Sequence, residues 1–196
     1  MTAPSPRPSP DPIAHLVARA LDAVAAPRRA AIGVDPDGKH TAVCVLWSDG
    51  AVDLAGGGTR ADGAPLCTCT GALATLRTVG LPAVAGVYVE TQNPHSPWSA
   101  AVEPCRRSRY MWEAACELTA STLRPTAPQA WQRVLATLAA PHNRTSTLSD
   151  YGPLADALAA QLGAKLANGD QRAAVGLALF GAHSLGWDLA ALGLTA

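Results

Sequence analysis

The fold that this chain can adopt is restricted most by residues 31–47, AIGVDPDGKHTAVCVLW. Residues 31–34 form a short apolar run that is typical of a buried strand, and the run ends on the carboxylate of Asp35. Residues 36–38 favour a turn, because proline fixes φ and glycine tolerates positive φ. A second apolar run follows over residues 41–47. The stretch therefore predicts a β-hairpin whose first strand ends on an acid.

A second strand-like run ends in the same way. Residues 84–90 (VAGVYVE) are apolar and rich in β-branched side chains, they end on Glu90, and polar residues and a proline follow them. If this strand lies parallel and next to the first one, Asp35 and Glu90 lie side by side at the end of the sheet where α/β proteins tend to bind ligands. Two carboxylates in this arrangement are suited to holding a divalent metal ion.

The rest of the chain alternates between helical and strand patterns. Residues 1–10 are rich in Pro and Ser and are predicted to be disordered. Apolar residues at helical spacing and proline at helix starts predict helices, and short apolar runs predict two more strands. The added strands cover residues 51–54 and 122–127. The predicted helices cover residues 12–26, 71–79, 104–119 and 154–162, and two further helices begin at residue 128 and at Asp170. This order predicts an α/β sheet layered with helices.

Charge and hydropathy restrict the function classes. The 196 residues include 15 Lys or Arg and 15 Asp or Glu, so net charge gives no support for nucleic-acid binding and any such surface must be local. No apolar stretch approaches the roughly 18 to 20 residues that a membrane span needs. The N-terminus lacks the apolar core of a secretory signal. We therefore expect a cytoplasmic protein that does not associate with membranes.

A third acid, Asp170, begins the last long helix and can point back toward the sheet. Together, Asp35, Glu90 and Asp170 could flank two Mg²⁺ ions about 4 Å apart, one activating water and the other stabilising the leaving 3′ oxygen of a phosphodiester. Each acid also has a purely structural explanation, because Asp35 could start a turn, Glu90 could end a strand and Asp170 could cap its helix. Their joint order along the chain favours the metal site.

Aromatic and histidine residues show no pattern of their own that indicates a binding site. The histidines, which include His40, His95 and His183, lack the spacing of metal ligands. The tryptophans are interpreted as core or dimer-interface groups; they include Trp98, Trp112, Trp131 and Trp187. The helix over residues 104–119 is expected to carry a partly apolar face made of Cys105, Met111, Trp112, Ala115 and Leu118.

Three segments resemble the RuvC family of Holliday-junction resolvases in the RNase H-like superfamily: IGVDPDGKHTAVCVL, VYVE and GDQRAAVGLALFG. RPTAPQAWQRVL also resembles the family's strand and the Pro-x-x-Trp helix start that follows it. The pattern resembles divergent phage and bacterial RuvC-like forms more than the housekeeping enzyme. The resemblance covers residues 30–185. It implies an RNase H-like α/β fold, with a mixed five-stranded sheet and helices on both faces, in a homodimer that binds four-way DNA junctions and cuts two strands symmetrically. We accordingly assign residues 1–28 to a Pro-rich tail and N-terminal helix, and residues 29–190 to a RuvC-type nuclease domain.

The resemblance also assigns roles to the acids. Asp35 matches the acid of the first strand, Glu90 that of the fourth strand, and Asp170 the first member of a final acidic pair; all three would be catalytic residues and ligands of two Mg²⁺ or Mn²⁺ ions. One turn later, where the second member of the pair is expected, residues 171–174 read QRAA and contain no carboxylate. An alignment shifted by one turn would make Asp170 itself the essential final acid. Otherwise another acid must complete the cluster, with Asp37, Asp150 and Asp188 as candidates.

Basic residues near the predicted site are candidates for contact with DNA phosphates, which would make the affinity sensitive to salt. A solvated helix face explains them equally well. The candidates are Lys39, Arg106, Arg107, Arg109, Arg144 and Lys165.

Three functions remain open at this point. The first is a metal-dependent, structure-selective endonuclease, a hydrolase of the crossover-junction endodeoxyribonuclease type that resolves branched DNA. The second is a catalytically inactive RNase H-like module that binds DNA or protein, which the absent fourth acid and the neutral charge favour. The third is a fragment of an ATPase of the actin and sugar-kinase type, against which the absence of a second Asp-x-Gly hairpin and of a later Gly-Gly turn argues.

Overall fold

A computed structural model describes residues 27–56, 65–92, 102–139, 151–161, 163, 165–166 and 168–192. The strands are β1 (Ala30–Asp35), β2 (Ala42–Trp47), β3 (Val52–Ala55), β4 (Val84–Glu90) and β5 (Leu123–Thr126). The helices are α1 (Cys69–Val79), α2 (Glu103–Leu118), α3 (Pro128–Ala139), α4 (Tyr151–Gln161) and α5 (Gly169–Ser184), and a 3-10 turn (Leu81–Ala83) precedes β4. In these ranges, no helix is long and apolar enough to cross a membrane. The tail and helix predicted within residues 1–26 lie outside the described residues.

The strands form one five-stranded mixed sheet in the order β3-β2-β1-β4-β5. β1 pairs antiparallel with β2, which confirms the predicted hairpin, and β2 pairs antiparallel with β3. β4 lies parallel to β1 on its other side, and β5 is parallel to β4. The carboxyl ends of β1, β4 and β5 therefore meet at one edge of the sheet.

Helices cover both faces of the sheet, so the central strands alternate between two apolar cores. In β1, Ile32 and Val34 pack into the core formed with α1 and α2, whereas Ala31 packs into the core formed with α3, α4 and α5. In β4, Val89 belongs to the first core and Tyr88 to the second. Because side chains of a strand alternate between faces, the residues that end β1 and β4 point to the side of the sheet that α5 covers.

The α5 helix packs backbone to backbone against β1. A Cβ atom added to Gly33 would lie 2.1 Å from the carbonyl oxygen of Ala174 and 2.4 Å from the amide nitrogen of Ala178. Only a residue without a side chain allows this approach. The first turn of α5 is thereby held next to the carboxyl end of β1.

The apolar face predicted for α2 is only partly correct. Trp112 and Ala115 are buried as expected, but Leu118 is 72% exposed. Ser108 is buried instead, because its hydroxyl lies 2.9 Å from that of Thr41 in the β1–β2 connection and forms a hydrogen bond with it. Ser108 shares the helical spacing of Trp112 and Ala115, so a polar side chain with a partner inside the protein occupies a position on the buried face.

Candidate acidic site at the carboxyl ends of β1 and β4

Asp35 and Glu90 end two neighbouring parallel strands. Val34 of β1 is paired with Val89 of β4. The next residues of the two strands, Asp35 and Glu90, therefore lie side by side. Both carboxylates lie on the face that α5 covers. The juxtaposition expected from the sequence is therefore present in the fold.

Asp170 is the second residue of α5, and it is not the residue that caps the helix. Asn168 is the N-cap, and its side-chain oxygen accepts a hydrogen bond of 2.9 Å from the amide of Gln171. The capping role considered for Asp170 thus belongs to Asn168. The Asp170 carboxylate, in the first turn of a helix anchored on Gly33, is close enough to Asp35 to act on its ionisation.

Asp35 is surrounded by other acids. Burial, and then the negative charges of Glu90, Asp170 and Asp37, raise the pKa of Asp35 from 3.8 to about 8. No residue in the described part of the chain donates a hydrogen bond to its carboxylate or pairs with it. A half-buried carboxylate without such a partner is unfavourable in its charged form, and a cation bound among these acids would relieve that cost.

Asp37 extends the cluster from the β1–β2 turn. Burial and the negative charge of Asp37 raise the pKa of Asp170, while the nearby His40 lowers it. The turn is attached to the start of α2: the Cys105 thiol donates to Oδ1 of Asp37 at 3.8 Å, and the Thr41 hydroxyl donates to the Asp37 carbonyl. Of the acids considered for the fourth position, Asp37 is the one that the structure brings to the cluster.

The other two candidates for the fourth position do not join the cluster in the described structure. Asp188 lies beyond the C-terminal end of α5, where it accepts hydrogen bonds from the amides of Ala190 and Ala191. Asp150 lies outside the described residues.

Glu90 has a hydrogen-bond partner that sequence patterns did not reveal. The indole Nε1 of Trp131, on α3, donates to Oε2 of Glu90 at 2.8 Å. Burial raises the pKa of Glu90, and this hydrogen bond opposes the rise. The sequence interpretation of Trp131 as an apolar core group accounts for the ring but not for its N–H.

The chemistry of the donor set fits a hard divalent cation, because four carboxylates supply its oxygens and one of them, Asp35, has no hydrogen-bond partner among the described residues. No group of three or more His, Cys, Asp and Glu side chains within the described ranges is already arranged so that it could hold a metal ion. Ion binding would therefore require acid side chains to rotate toward one another on a fixed backbone.

The basic candidates differ in their surroundings. Lys39, Arg107 and Lys165 are exposed, and Arg106 is half-buried. Arg109 forms an ion pair with Glu113 at 2.9 Å and lies 5.3 Å from the ring centre of Tyr110, so its guanidinium already has partners on α2. Arg144 lies outside the described residues.

A five-stranded mixed sheet in this order, with helices on both faces, is the RNase H-like α/β fold. Among solved structures, the chain is similar to Thermus thermophilus RuvC in complex with a Holliday junction substrate, with a TM-score of 0.55 and 13% identity over 81% of this chain and 96% of that one. It is similar to T. thermophilus RuvC alone, with a TM-score of 0.51 and 15% identity over 82% and 98% of the two chains. For the yeast mitochondrial Holliday junction resolvase Ydc2, the TM-score is 0.46 and the identity 13%, over 91% of this chain and 86% of that one. No family model matches the sequence, and no curated protein matches it significantly. The chain has a RuvC-like resolvase fold.

Proposed function

We propose that the protein is a metal-dependent, structure-selective endonuclease that resolves branched DNA, including Holliday junctions, by hydrolysing phosphodiester bonds. The observation that carries the proposal is the half-buried carboxylate of Asp35, which has no hydrogen-bond partner among the described residues and stands among three further acids at the carboxyl edge of a RuvC-like sheet. A site of this composition is unfavourable without a cation and is suited to binding one.

In this proposal, Asp35, Glu90 and Asp170 hold two Mg²⁺ or Mn²⁺ ions, and Asp37 takes the place of the acid that is absent from the second turn of α5. When bound, the ions supply Lewis-acid chemistry for phosphodiester hydrolysis. The protein's own contribution would be to hold the acids on two strand ends, one turn and one helix start. Such preorganisation reduces the cost of assembling the site.

Branched DNA is the proposed substrate because one of the similar structures is a RuvC bound to a Holliday junction. The exposed Lys39, Arg107 and Lys165 are proposed to contact backbone phosphates, and Arg106, Arg109 and Arg144 stay candidates for the same role. Cutting two strands symmetrically requires two sites related by a twofold axis, so we propose a homodimer.

The alternative is a catalytically inactive RNase H-like module that binds DNA or protein. The QRAA sequence in the first turns of α5 and the unassembled arrangement of the acids in the described structure favour it. The two functions differ in one measurable property, which is strand cleavage.

The test is cleavage of a labelled four-way junction by the purified full-length protein in Mg²⁺ and in Mn²⁺. We expect Asp35→Asn and Glu90→Gln to abolish cleavage while junction binding and the native fold are kept, because each removes a charged ligand without changing the shape of the side chain. Glu117→Gln is the matched control, since Glu117 is an exposed acid at the far end of α2, and it should cleave like wild type.

Full cleavage by either acid variant would contradict the proposed mechanism. Junction binding by the wild-type protein without cleavage in either metal would establish the inactive module instead.

A further inference from the structure

Trp131 is a buried tryptophan of α3 that reaches the acidic site at Glu90. Its side chain is 1% exposed, and its indole N–H donates to Oε2 of Glu90 over 2.8 Å. Among the described residues, no hydrogen bond is made to the other oxygen of Glu90, Oε1. One oxygen of the carboxylate is therefore fixed by protein and the other is available to a ligand.

The position of the indole ring is set by close packing. A Cβ atom added to Gly176 of α5 would lie 2.5 Å from Cε3 and 2.7 Å from Cζ3 of Trp131. The ring thus lies directly on the backbone of the helix that also carries Asp170. Such a contact prevents the ring from turning toward α5.

We infer that Trp131 is a positioning residue, which aims the Glu90 carboxylate into the acidic site through its indole N–H. The inference rests on the proposed function, because positioning has a role only if Glu90 binds a metal ion. A phenylalanine would fill most of the same apolar space, so packing alone does not require the N–H. A donor to a buried, ligating carboxylate fixes its orientation, and partners of this kind strongly affect metal affinity.

The experiment compares two Trp→Phe substitutions in Mn²⁺ binding, measured by the loss of the electron paramagnetic resonance signal of free Mn²⁺. Trp131→Phe is expected to weaken Mn²⁺ binding by roughly 10- to 100-fold, the range typical for removing a partner of a metal ligand. Trp112→Phe is the matched control: Trp112 is also fully buried and its Nε1 donates to the Leu66 carbonyl at 3.0 Å, but it lies in the core on the other face of the sheet. It should bind Mn²⁺ like wild type.

A second measurement leaves every tryptophan in place. The indole ¹⁵N–¹H resonance of Trp131, identified by its loss in Trp131→Phe or by assignment, should shift in Glu90→Gln and on adding Mg²⁺ to the wild type, while the Trp112 resonance should not. This readout reports the hydrogen bond itself, so it tests the inference even if Trp131→Phe does not fold.

The outcomes separate the two hypotheses. Wild-type Mn²⁺ affinity in Trp131→Phe, or an indole resonance that is unchanged in Glu90→Gln, would overturn the positioning role and leave the proposed function intact. Absence of Mn²⁺ binding by the wild-type protein would overturn the proposed function. The positioning role of Trp131 would then be overturned too, because it rests on that function.

Discussion

Asp35 is a half-buried acid whose pKa is raised further by neighbouring acids, and this affects how the metal-free protein responds to pH. Its pKa is about 8 in the fold against an ordinary value of 3.8, so between these values the folded state binds more protons than the unfolded state. Stability therefore falls as pH rises through this window. Burial raises the pKa of Glu90 and Asp170 as well, so they contribute with the same sign.

We expect the unfolding free energy of the metal-free protein to fall between pH 4 and pH 8, with Asp35 contributing at most about 1.4 kcal/mol for each pH unit. Asp35→Asn removes this contribution, so its curve should be flatter than that of wild type. Urea denaturation in the presence of a chelator at a series of pH values measures the slopes. Asp49→Asn, at an exposed acid paired with Arg28, is expected to retain the wild-type slope. Parallel curves for wild type and Asp35→Asn would contradict the prediction.

At this scale, the sequence predicted the acids better than their partners. Asp35 and Glu90 could be found because each ends an apolar run, and a run that stops on a charge marks a strand end. Trp131 could not, because apolar periodicity reports that a ring is buried and says nothing about where its N–H points. Asp37 stayed one of three candidates, since only the tertiary fold brings the turn that carries it next to Asp170.

At the scale of elements, α5 is the helix that completes the site, and its position depends on Gly33. The backbone of α5 rests on this residue, and Asp170 lies one turn before Ala174, which makes the closest contact. The Asn168 cap fixes the start of the helix, two residues before Asp170. Displacement of α5 would therefore separate Asp170 from Asp35 without changing any acid.

Gly33→Ala tests this dependence. The added Cβ would meet backbone atoms that cannot rotate away, so we expect a loss of stability of about 1–3 kcal/mol and weaker Mn²⁺ binding. Gly169→Ala is the matched control, because a Cβ at Gly169 meets nothing within 4 Å and alanine favours a helix by about 1 kcal/mol over glycine. Thermal denaturation and Mn²⁺ titration of both variants give the result. Equal stability of Gly33→Ala and wild type would show that α5 is not anchored at this point.

The order and type of the described elements were predictable, because the central strands are short apolar runs and most of the helices start at a proline or follow a turn. Which side chains of each helix are buried was less predictable. Leu118 fits the helical spacing of an apolar face, yet α2 projects it into solvent, and Ser108 is buried because Thr41 satisfies its hydroxyl. The register between β1 and β4 could not be predicted from the sequence either. The strand pairing in the structure shows that Val34 is paired with Val89 and hence that Asp35 lies beside Glu90.

At the scale of the whole molecule, a formal charge of zero means that attraction to DNA depends on where the cations lie. Lys39 and Arg107 are exposed near the β1–β2 turn and the start of α2, close to the acidic edge of the sheet. Arg77 is exposed in the last turn of α1, which leads to the opposite edge, where β4 begins.

Junction binding at several salt concentrations should distinguish these positions. If Arg107 contacts a phosphate, Arg107→Ala lowers the slope of log affinity against log salt by about 1. Arg77→Ala, which removes the same charge on the other edge, should leave the slope unchanged. Identical slopes for the two variants would show that the DNA does not bind at the acidic edge. Fluorescence anisotropy with an uncleaved junction in a chelating buffer provides the measurement.

The acids of the site come from the first strand, a strand in the middle of the chain and the last described helix. During synthesis on the ribosome, β1, β4 and the turn that carries Asp37 therefore emerge long before α5. A nascent chain holds Asp35 and Glu90 but lacks Asp170 until α5 has left the exit tunnel and docked on Gly33. Under the proposed function, the chain cannot cut DNA while it is being made, and cleavage begins only when folding is complete.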